Sequence, residues 1–292
     1  MSKAEPSFTS FHEDPDFFRE AVNFTAAETS FSPRLIEKDY FSTVLLKYLA
    51  IDDTLVFKGG TCLAKVYAGF YRLSEDLDFA ISVSVDASRA ERSKRAAVLK
   101  QHVATLPRQV PMFSIVQRLT GANNSAQYIA VIGYNSLLSR QEDTINVELG
   151  LREPMLTPVV NSPAHTLLLD PVSGKSLVMS VAVNSLSEIE SFAEKYRAAL
   201  CRREVAIRDF YDIDYAVRRQ RIHPQDALFI NLVRQKLAVP GNEPVDVSSD
   251  RLGILRQQLE SQLKPVLRDN DFAEFDLARA SKTVTDMAAK VI

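Results

Sequence analysis

Leu55–Val56–Phe57–Lys58–Gly59–Gly60–Thr61 and, one helix-length later, Ser74–Glu75–Asp76–Leu77–Asp78 are the stretches on which the reading of this chain turns. Leu55–Phe57 is a short apolar run of the kind that makes a buried strand. Two glycines stop it, and a helical pattern carrying Leu63, Val66, Tyr67 and Phe70 follows. A strand that ends in Gly59–Gly60 and turns into a helix at Thr61 presents backbone N–H groups with no Cβ in the way, so a phosphate can come close. Thr61 adds a hydroxyl. Neither G-x-x-x-x-G-K-[ST] nor G-x-G-x-x-G is present, which excludes a P-loop and a dinucleotide fingerprint. Leu77 to Val83 alternates apolar with polar or small residues and predicts a second strand, with Asp76 and Asp78 at its start. Side chains two apart on a strand share a face. Two carboxylates there repel each other unless a hard cation lies between them, and Mg²⁺ takes one or two carboxylates together with phosphate oxygens and water. Taken singly, GGT is an ordinary tight turn and D-x-D an ordinary solvated strand end. In the order strand, turn, helix, strand, they set phosphate donors beside a metal site.

A further carboxylate should come from a neighbouring strand. In Ile145–Asn146–Val147–Glu148–Leu149–Gly150, alternation puts Asn146 and Glu148 on one face, Val147 and Leu149 on the other. Glu148 either completes the metal site or is a plain outward charge. Upstream, residues 15–30 predict a helix, and Ser32–Pro33 opens another that runs to about Ala50, with serine as N-cap and proline at the first position. Downstream, Asp86 to Leu106 predicts a charged helix. Phe113–Leu119, Tyr128–Tyr134, Ile145–Leu151 and Val178–Val183 predict strands. From Ser187 the pattern is helical. Ser187 and Glu190 form an S-x-x-E capping box, a second helix carries Val205–Val217, and residues 250–265 and 272–292 close the chain after a turn-rich break at Pro240–Pro244. The fold class is α+β: an α/β domain over residues 1–185 with N-terminal helices, then a helical domain over 186–292.

Composition sets the bounds. With 46% hydrophobic and 25% charged residues, a chain of 292 can bury a sizeable core. A net charge of −2 excludes a globally basic nucleic-acid binder but leaves room for local patches. Two such clusters exist, Arg89–Arg92–Lys94–Arg95 and Arg197–Arg202–Arg203–Arg208 continuing to Arg218, Arg219 and Arg221. They are either RNA-steering surfaces or ordinary solvated helix faces. The two cysteines, Cys62 and Cys201, form no CxxC pattern and suit a reducing compartment. Met1–Asp16 has no secretory h-region, and no apolar run reaches the ~18 residues that span a bilayer. The cytoplasm is the expected location.

Lys58–Gly59–Gly60–Thr61 followed by Arg72–Leu73–Ser74–Glu75–Asp76–Leu77–Asp78 resembles the AbiEii/AbiGii-type nucleotidyltransferase toxin family, which includes the mycobacterial MenT toxins. Glu37–Lys38–Asp39–Tyr40 upstream and Ala193–Glu194–Lys195 and Arg208–Asp209–Phe210–Tyr211–Asp212 downstream also resemble it, in the same order. The resemblance implies a polymerase-β-type nucleotidyltransferase core, a mixed sheet flanked by helices, with a helical C-terminal region. It implies a toxin of a type IV toxin–antitoxin system that moves a nucleotide, a pyrimidine such as that of CTP especially, from an NTP to the 3′ end of tRNA and so blocks translation. Transfer to a protein or small molecule, or GTP binding without transfer, are the alternatives. On this resemblance Lys58, Gly59, Gly60, Thr61 and Ser74 hold the triphosphate. Asp76 and Asp78 bind Mg²⁺ or Mn²⁺ and act in catalysis, with Glu148 as the third metal ligand from strand alternation. Lys195 contacts phosphate and Asp209 is a later catalytic carboxylate. Lys38 and Asp39 are secondary: they either serve the site, as part of the upstream motif, or just support the core. Ser74 is also a candidate phosphorylation site, since a phosphate two residues from Asp76 would compete for the metal and block the triphosphate. A cognate antitoxin is an expected partner. Cys62 stands where relatives often carry serine, which removes one phosphate donor.

Overall fold

The computed structural model describes residues 11–292 apart from position 220, so the stretch read over Met1–Asp16 lies mostly outside the described residues. The chain falls into two compact units: the described part of Met1–Arg152 with Val159–Ser185, and Glu153–Pro158 with Leu186–Ile292.

In the first unit, α1 (Pro15–Thr29) starts where Asp14 accepts the Phe17 N–H at 3.1 Å and Pro15 takes the first helical position. It ends at Ser30, which is left-handed with φ 61°. α2 (Pro33–Leu49) also opens on proline, but the Ser32 hydroxyl makes no capping bond. Its apolar side chains Leu35, Ile36, Tyr40, Val44, Leu45 and Leu49 are all buried. So are Glu37, Lys38, Asp39, Ser42 and Thr43. A helix buried nearly all round must find partners for its charges, and those partners recur at the candidate site.

The seven-stranded mixed sheet comprises β1 (Val56–Lys58), β2 (Leu77–Ala80), β3 (Phe113–Ala122), β4 (Gln127–Asn135), β5 (Glu142–Gly150), β6 (Val160–Ala164) and β7 (Val181–Ser185), in the order β3-β4-β5-β2-β1-β7-β6. β1 pairs antiparallel with β2 and parallel with β7, and β2 pairs parallel with β5. Between β1 and β2, α3 (Gly59–Cys62) runs into a π-turn (Leu63–Tyr67). The mixed sheet flanked by helices is as expected. Several bounds differ. β2 stops at Ala80 rather than Val83, although Ile81 still donates its N–H to the Gly150 carbonyl at 3.1 Å. The charged helix expected over 86–106 is two helices, α4 (Arg89–Arg95) and α5 (Ala97–Gln109), which meet at Ala96. β6 was not anticipated: it carries Pro163 and lies at the sheet edge, where a missing N–H is tolerated. The core behind the sheet is aromatic, with Phe41 and Tyr134 at 4.4 Å and Phe18 and Tyr40 at 4.9 Å between ring centres.

The second unit is helical: α6 (Glu188–Cys201), α7 (Ile207–Arg218), α8 (Ala227–Leu237), α9 (Ser249–Gln258), α10 (Asp269–Glu274) and α11 (Leu277–Val291). At α6, Ser187 accepts the Glu190 N–H at 3.2 Å, half of the expected capping box. The Glu190 carboxylate goes elsewhere. It is fully buried and accepts the N–H groups of Leu156 (2.9 Å) and Thr157 (2.7 Å). Its other partner is Lys236 of α8, at 2.7 Å. The closing stretch 272–292 divides at Asp276, which caps α11 by accepting the N–H groups of Ala278 and Arg279. Among the described residues no helix is long and apolar enough to cross a membrane.

Candidate active site

Asp78 on β2 stands between Lys58 of β1 and Glu148 of β5, its register partners on either side. Residues directly opposed on neighbouring strands point to one face. Lys58, Asp78 and Glu148 therefore make a row across three strands, all partly exposed. The next row, Phe57, Phe79 and Leu149, is buried on the other face. The alternation seen in the sequence thus keeps the charged row outward and the apolar row in the core.

The turn before α3 fits that row closely. Gly59 has φ 75°, and a Cβ there would lie 2.1 Å from Asp78 Oδ2. Any L-side chain is excluded by backbone conformation and by the carboxylate together. A Cβ on Gly60 would lie 2.3 Å from Nη2 of Arg72, whose guanidinium is buried and donates to the Leu73 carbonyl at 3.1 Å. Thr61 is buried and its hydroxyl donates to the backbone carbonyl of Asp76. That differs from the expected hydroxyl donor to phosphate: the proton is already committed to fixing the loop that presents Asp76. Asp76 precedes β2 by one residue, and its Oδ1 accepts from Asn146 Nδ2 at 2.9 Å. Ser74 and Glu75 are half-buried in the same loop. Cys62 is completely buried, and burial, aided by the Asp78 charge, pushes its thiol well up, which makes it inert as a nucleophile at neutral pH.

The donor set suits Mg²⁺ or Mn²⁺. It offers hard carboxylate oxygens, and the missing Cβ of Gly59 lets the Asp78 carboxylate lie directly against the glycine turn. Among the described residues no three His, Cys, Asp or Glu side chains close on one point, so Asp76, Asp78 and Glu148 are neighbours rather than a finished cage. A cation that completes its shell with triphosphate oxygens and water needs no third protein carboxylate.

The second unit holds its own charged cluster. Lys195 on α6 reaches Asp209 Oδ1 and Asp212 Oδ2 on α7, each at 2.9 Å. Both carboxylates are buried, so the pair three apart on a helix is internal rather than superficial. Asp209 Oδ2 is buried without a hydrogen bond and has Arg202 Nη1 at 3.7 Å. Of the second basic cluster, Arg218 is held by Asp214 and Glu274 and Arg221 by Glu188, while Arg202, Arg203 and Arg219 are exposed. In the first cluster Arg89, Lys94 and Arg95 are exposed.

The family model of the AbiEii nucleotidyl transferase toxin, type IV toxin–antitoxin system, matches residues 45–289. The chain belongs to the AbiEii toxin family. Two solved structures share its fold. JHP933 from Helicobacter pylori is 16% identical, with a TM-score of 0.51 over 89% of this chain and 93% of that one. An H. pylori protein assigned as a nucleotidyltransferase is 15% identical, with a TM-score of 0.50 over 89% of this chain and 96% of that one. No curated protein matches the sequence. As an AbiEii-type toxin the chain is of the nucleotidyltransferase kind, and its family implies an NTP substrate and an antitoxin. The contacts that two further side chains make beside these candidate residues were not legible in the sequence. Asn146 was noticed only as sharing the face of Glu148, and its bond to Asp76 needed the strand order. Lys38, ranked as secondary, bonds Glu75 at 2.8 Å, a contact between residues 37 apart in sequence.

Proposed function

We propose that this AbiEii-family protein transfers the NMP part of an NTP, CTP or another pyrimidine nucleotide by preference, to the 3′ end of tRNA, and so stops translation. The observation that carries the reading is the close approach of Gly59 to Asp78. It sets a glycine turn, whose backbone can meet a triphosphate, directly against an outward carboxylate row suited to a divalent cation. Nucleotidyl transfer forms a bond from the acceptor 3′-oxygen to the α-phosphorus and breaks the bond to pyrophosphate, so the protein must neutralise charge and align three oxygens. A divalent cation bound to Asp76 and Asp78 would supply Lewis-acid stabilisation of the phosphoryl oxygens. Asn146 and the Thr61 hydroxyl hold Asp76 by its carboxylate and its carbonyl. Lys58, Gly59, Gly60, the Thr61 backbone and Ser74 receive the triphosphate. Glu148 stands as a third carboxylate beside Asp78. Lys195 contacts phosphate, and Asp209 receives the proton of the attacking hydroxyl, roles that rest on the family likeness. The exposed arginines of the basic clusters attract the RNA backbone.

The test is incubation with each α-labelled NTP, Mg²⁺ and total RNA. Label in tRNA, strongest from CTP or UTP, is the expected result. Label in protein or a small molecule would move the acceptor to that class, and tight nucleotide binding with no transfer would leave a GTP- or NTP-binding module instead. Ser74 adds a control point to the same reading, since a phosphate there brings nearly two negative charges beside Asp76. Protein coexpressed with its neighbouring antitoxin gene is expected to gain one phosphate, located by mass spectrometry at Ser74. Inhibited protein with Ser74 unmodified rules that control out.

A further inference from the structure

Glu37, Lys38 and Asp39 are consecutive on α2 and step about 100° apart around it, so they leave the helix in three directions. Each direction ends on a different segment of the first unit. Glu37 accepts from Ser136 Oγ (2.6 Å) and the Leu137 N–H (2.7 Å), in the connection that leads into β5. Asp39 accepts from Lys65 of the π-turn that follows α3, and from Thr166 Oγ1 at 2.8 Å. Lys38, with its side chain nine-tenths buried, donates to Glu75 Oε2 at 2.8 Å and lies 3.4 Å from Asp143 Oδ1 on β5. Arg34, one turn earlier, duplicates both contacts at 3.3 and 3.0 Å.

These bonds close a ring. Glu75 is covalently next to Asp76. Asp76 is bonded to Asn146 of β5, and Asp143, on the same strand, returns to Lys38 and Arg34. The ring draws the loop that carries Asp76 against both α2 and β5. Glu75 itself points toward α2 and away from the outward row of Lys58, Asp78 and Glu148. We propose that Lys38 is a positioning residue: acting through Glu75, it sets where Asp76 presents its carboxylate. The part of this that concerns the cation rests on the metal-site reading above. The part that concerns the loop does not.

Electrostatics alone gives the opposite sign for one of two variants, which makes the proposal testable. Removing the Lys38 charge in K38M leaves the site more negative and by charge alone tightens cation binding. Removing the Glu75 charge in E75Q by charge alone weakens it. Positioning predicts loss in both. Mn²⁺ uptake, read from the paramagnetic signal of the free ion, is expected to weaken about tenfold in K38M and in E75Q, the usual scale for an outer partner of a metal ligand. The double variant should be no worse than either single one, and K38R should restore most of the affinity. In the metal-free protein, amide hydrogen exchange over residues 74–77 is expected to quicken about tenfold in K38M and E75Q, with exchange in β3 and β4 unchanged. Unchanged exchange over 74–77, or Mn²⁺ affinity that rises in K38M and falls in E75Q, overturns the proposal. If the wild type takes up no Mn²⁺, the metal-site reading falls while the exchange result still decides the positioning role. If K38M does not fold, amide exchange over residues 74–77 in E75Q, at a side chain 27% exposed, decides the proposal, because the loss of Mn²⁺ in that variant follows from charge alone as well.

Discussion

Asp78→Asn is expected to lower nucleotide transfer by ~10³-fold or more, the ~4 kcal/mol that a group stabilising transition-state charge supplies. The substitution keeps the shape. An asparagine on β2 still pairs with Lys58 and Glu148 in register, still lies against Gly59, and leaves Phe57, Phe79 and Leu149 untouched behind it. Only the charge goes. The metal-free protein should melt at nearly the same temperature, because the carboxylate lost lies between Lys58, which attracts it, and Glu148, which repels it. A variant that melts normally and transfers at the wild-type rate would remove Asp78 from the chemistry and the cation from this part of the sheet. A variant that loses transfer only because it unfolds would show a falling midpoint, which the same sample reports.

Lys236→Met is expected to cost the second unit about 3–5 kcal/mol, the scale of breaking a buried ion pair by removing one partner. The Lys236 side chain is fully buried, with Nζ at 2.7 Å from Glu190, 3.3 Å from Glu194 and 3.6 Å from Glu153. Methionine fills the space and leaves three carboxylates facing one another. Burial by itself pulls the Lys236 ammonium down, but Glu194, Glu153 and Glu190 together outweigh it and hold it above the ordinary lysine value. A raised folded-state value means the wild type keeps this stabilisation in full below the unfolded lysine range and loses it only as pH climbs through the higher folded value. Wild-type stability should therefore keep this contribution unchanged, with no pH dependence from this group, between pH 6 and about pH 9. Helical circular dichroism during urea unfolding checks the cost, as an early transition in the variant. An unshifted curve would mean that water already reaches the cluster.

The local elements that present the candidate residues were legible in the sequence. Glycine before a helix and carboxylates two apart on a strand have meanings that depend on few neighbours. Alternation likewise put Glu148 outward, where the parallel pairing with β2 sets it opposite Asp78. What stayed hidden depends on partners far along the chain. The buried charges of α2 are matched by Ser136 and Thr166, 99 and 127 residues away, so nothing near Glu37 or Asp39 signals that they lie inside. α8 escaped because its inward seam is Phe229, Val233 and Lys236. A lysine in the third place looks like solvent exposure until three glutamates are found around it. The capping box at Ser187 was half right for the same reason: Glu190 had a stronger claim on it than its own helix terminus.

The short segment Glu153–Pro158, grouped with the helical unit although it lies between β5 and β6, bears on how this protein is made. It leaves the ribosome 34 residues before Glu190, which later accepts its Leu156 N–H. Lys236 is translated later still. The helical unit must therefore close around a strand of chain already synthesised and flanked by the sheet, instead of assembling from its own tail end. A truncated chain beginning at Leu186 would present Glu190 with none of the Leu156 and Thr157 donors it is built to meet, and the polypeptide passes between the two units at 152–153, 158–159 and 185–186. Late translation of the helices thus completes a fold whose keystone was laid down before the last two strands of the sheet.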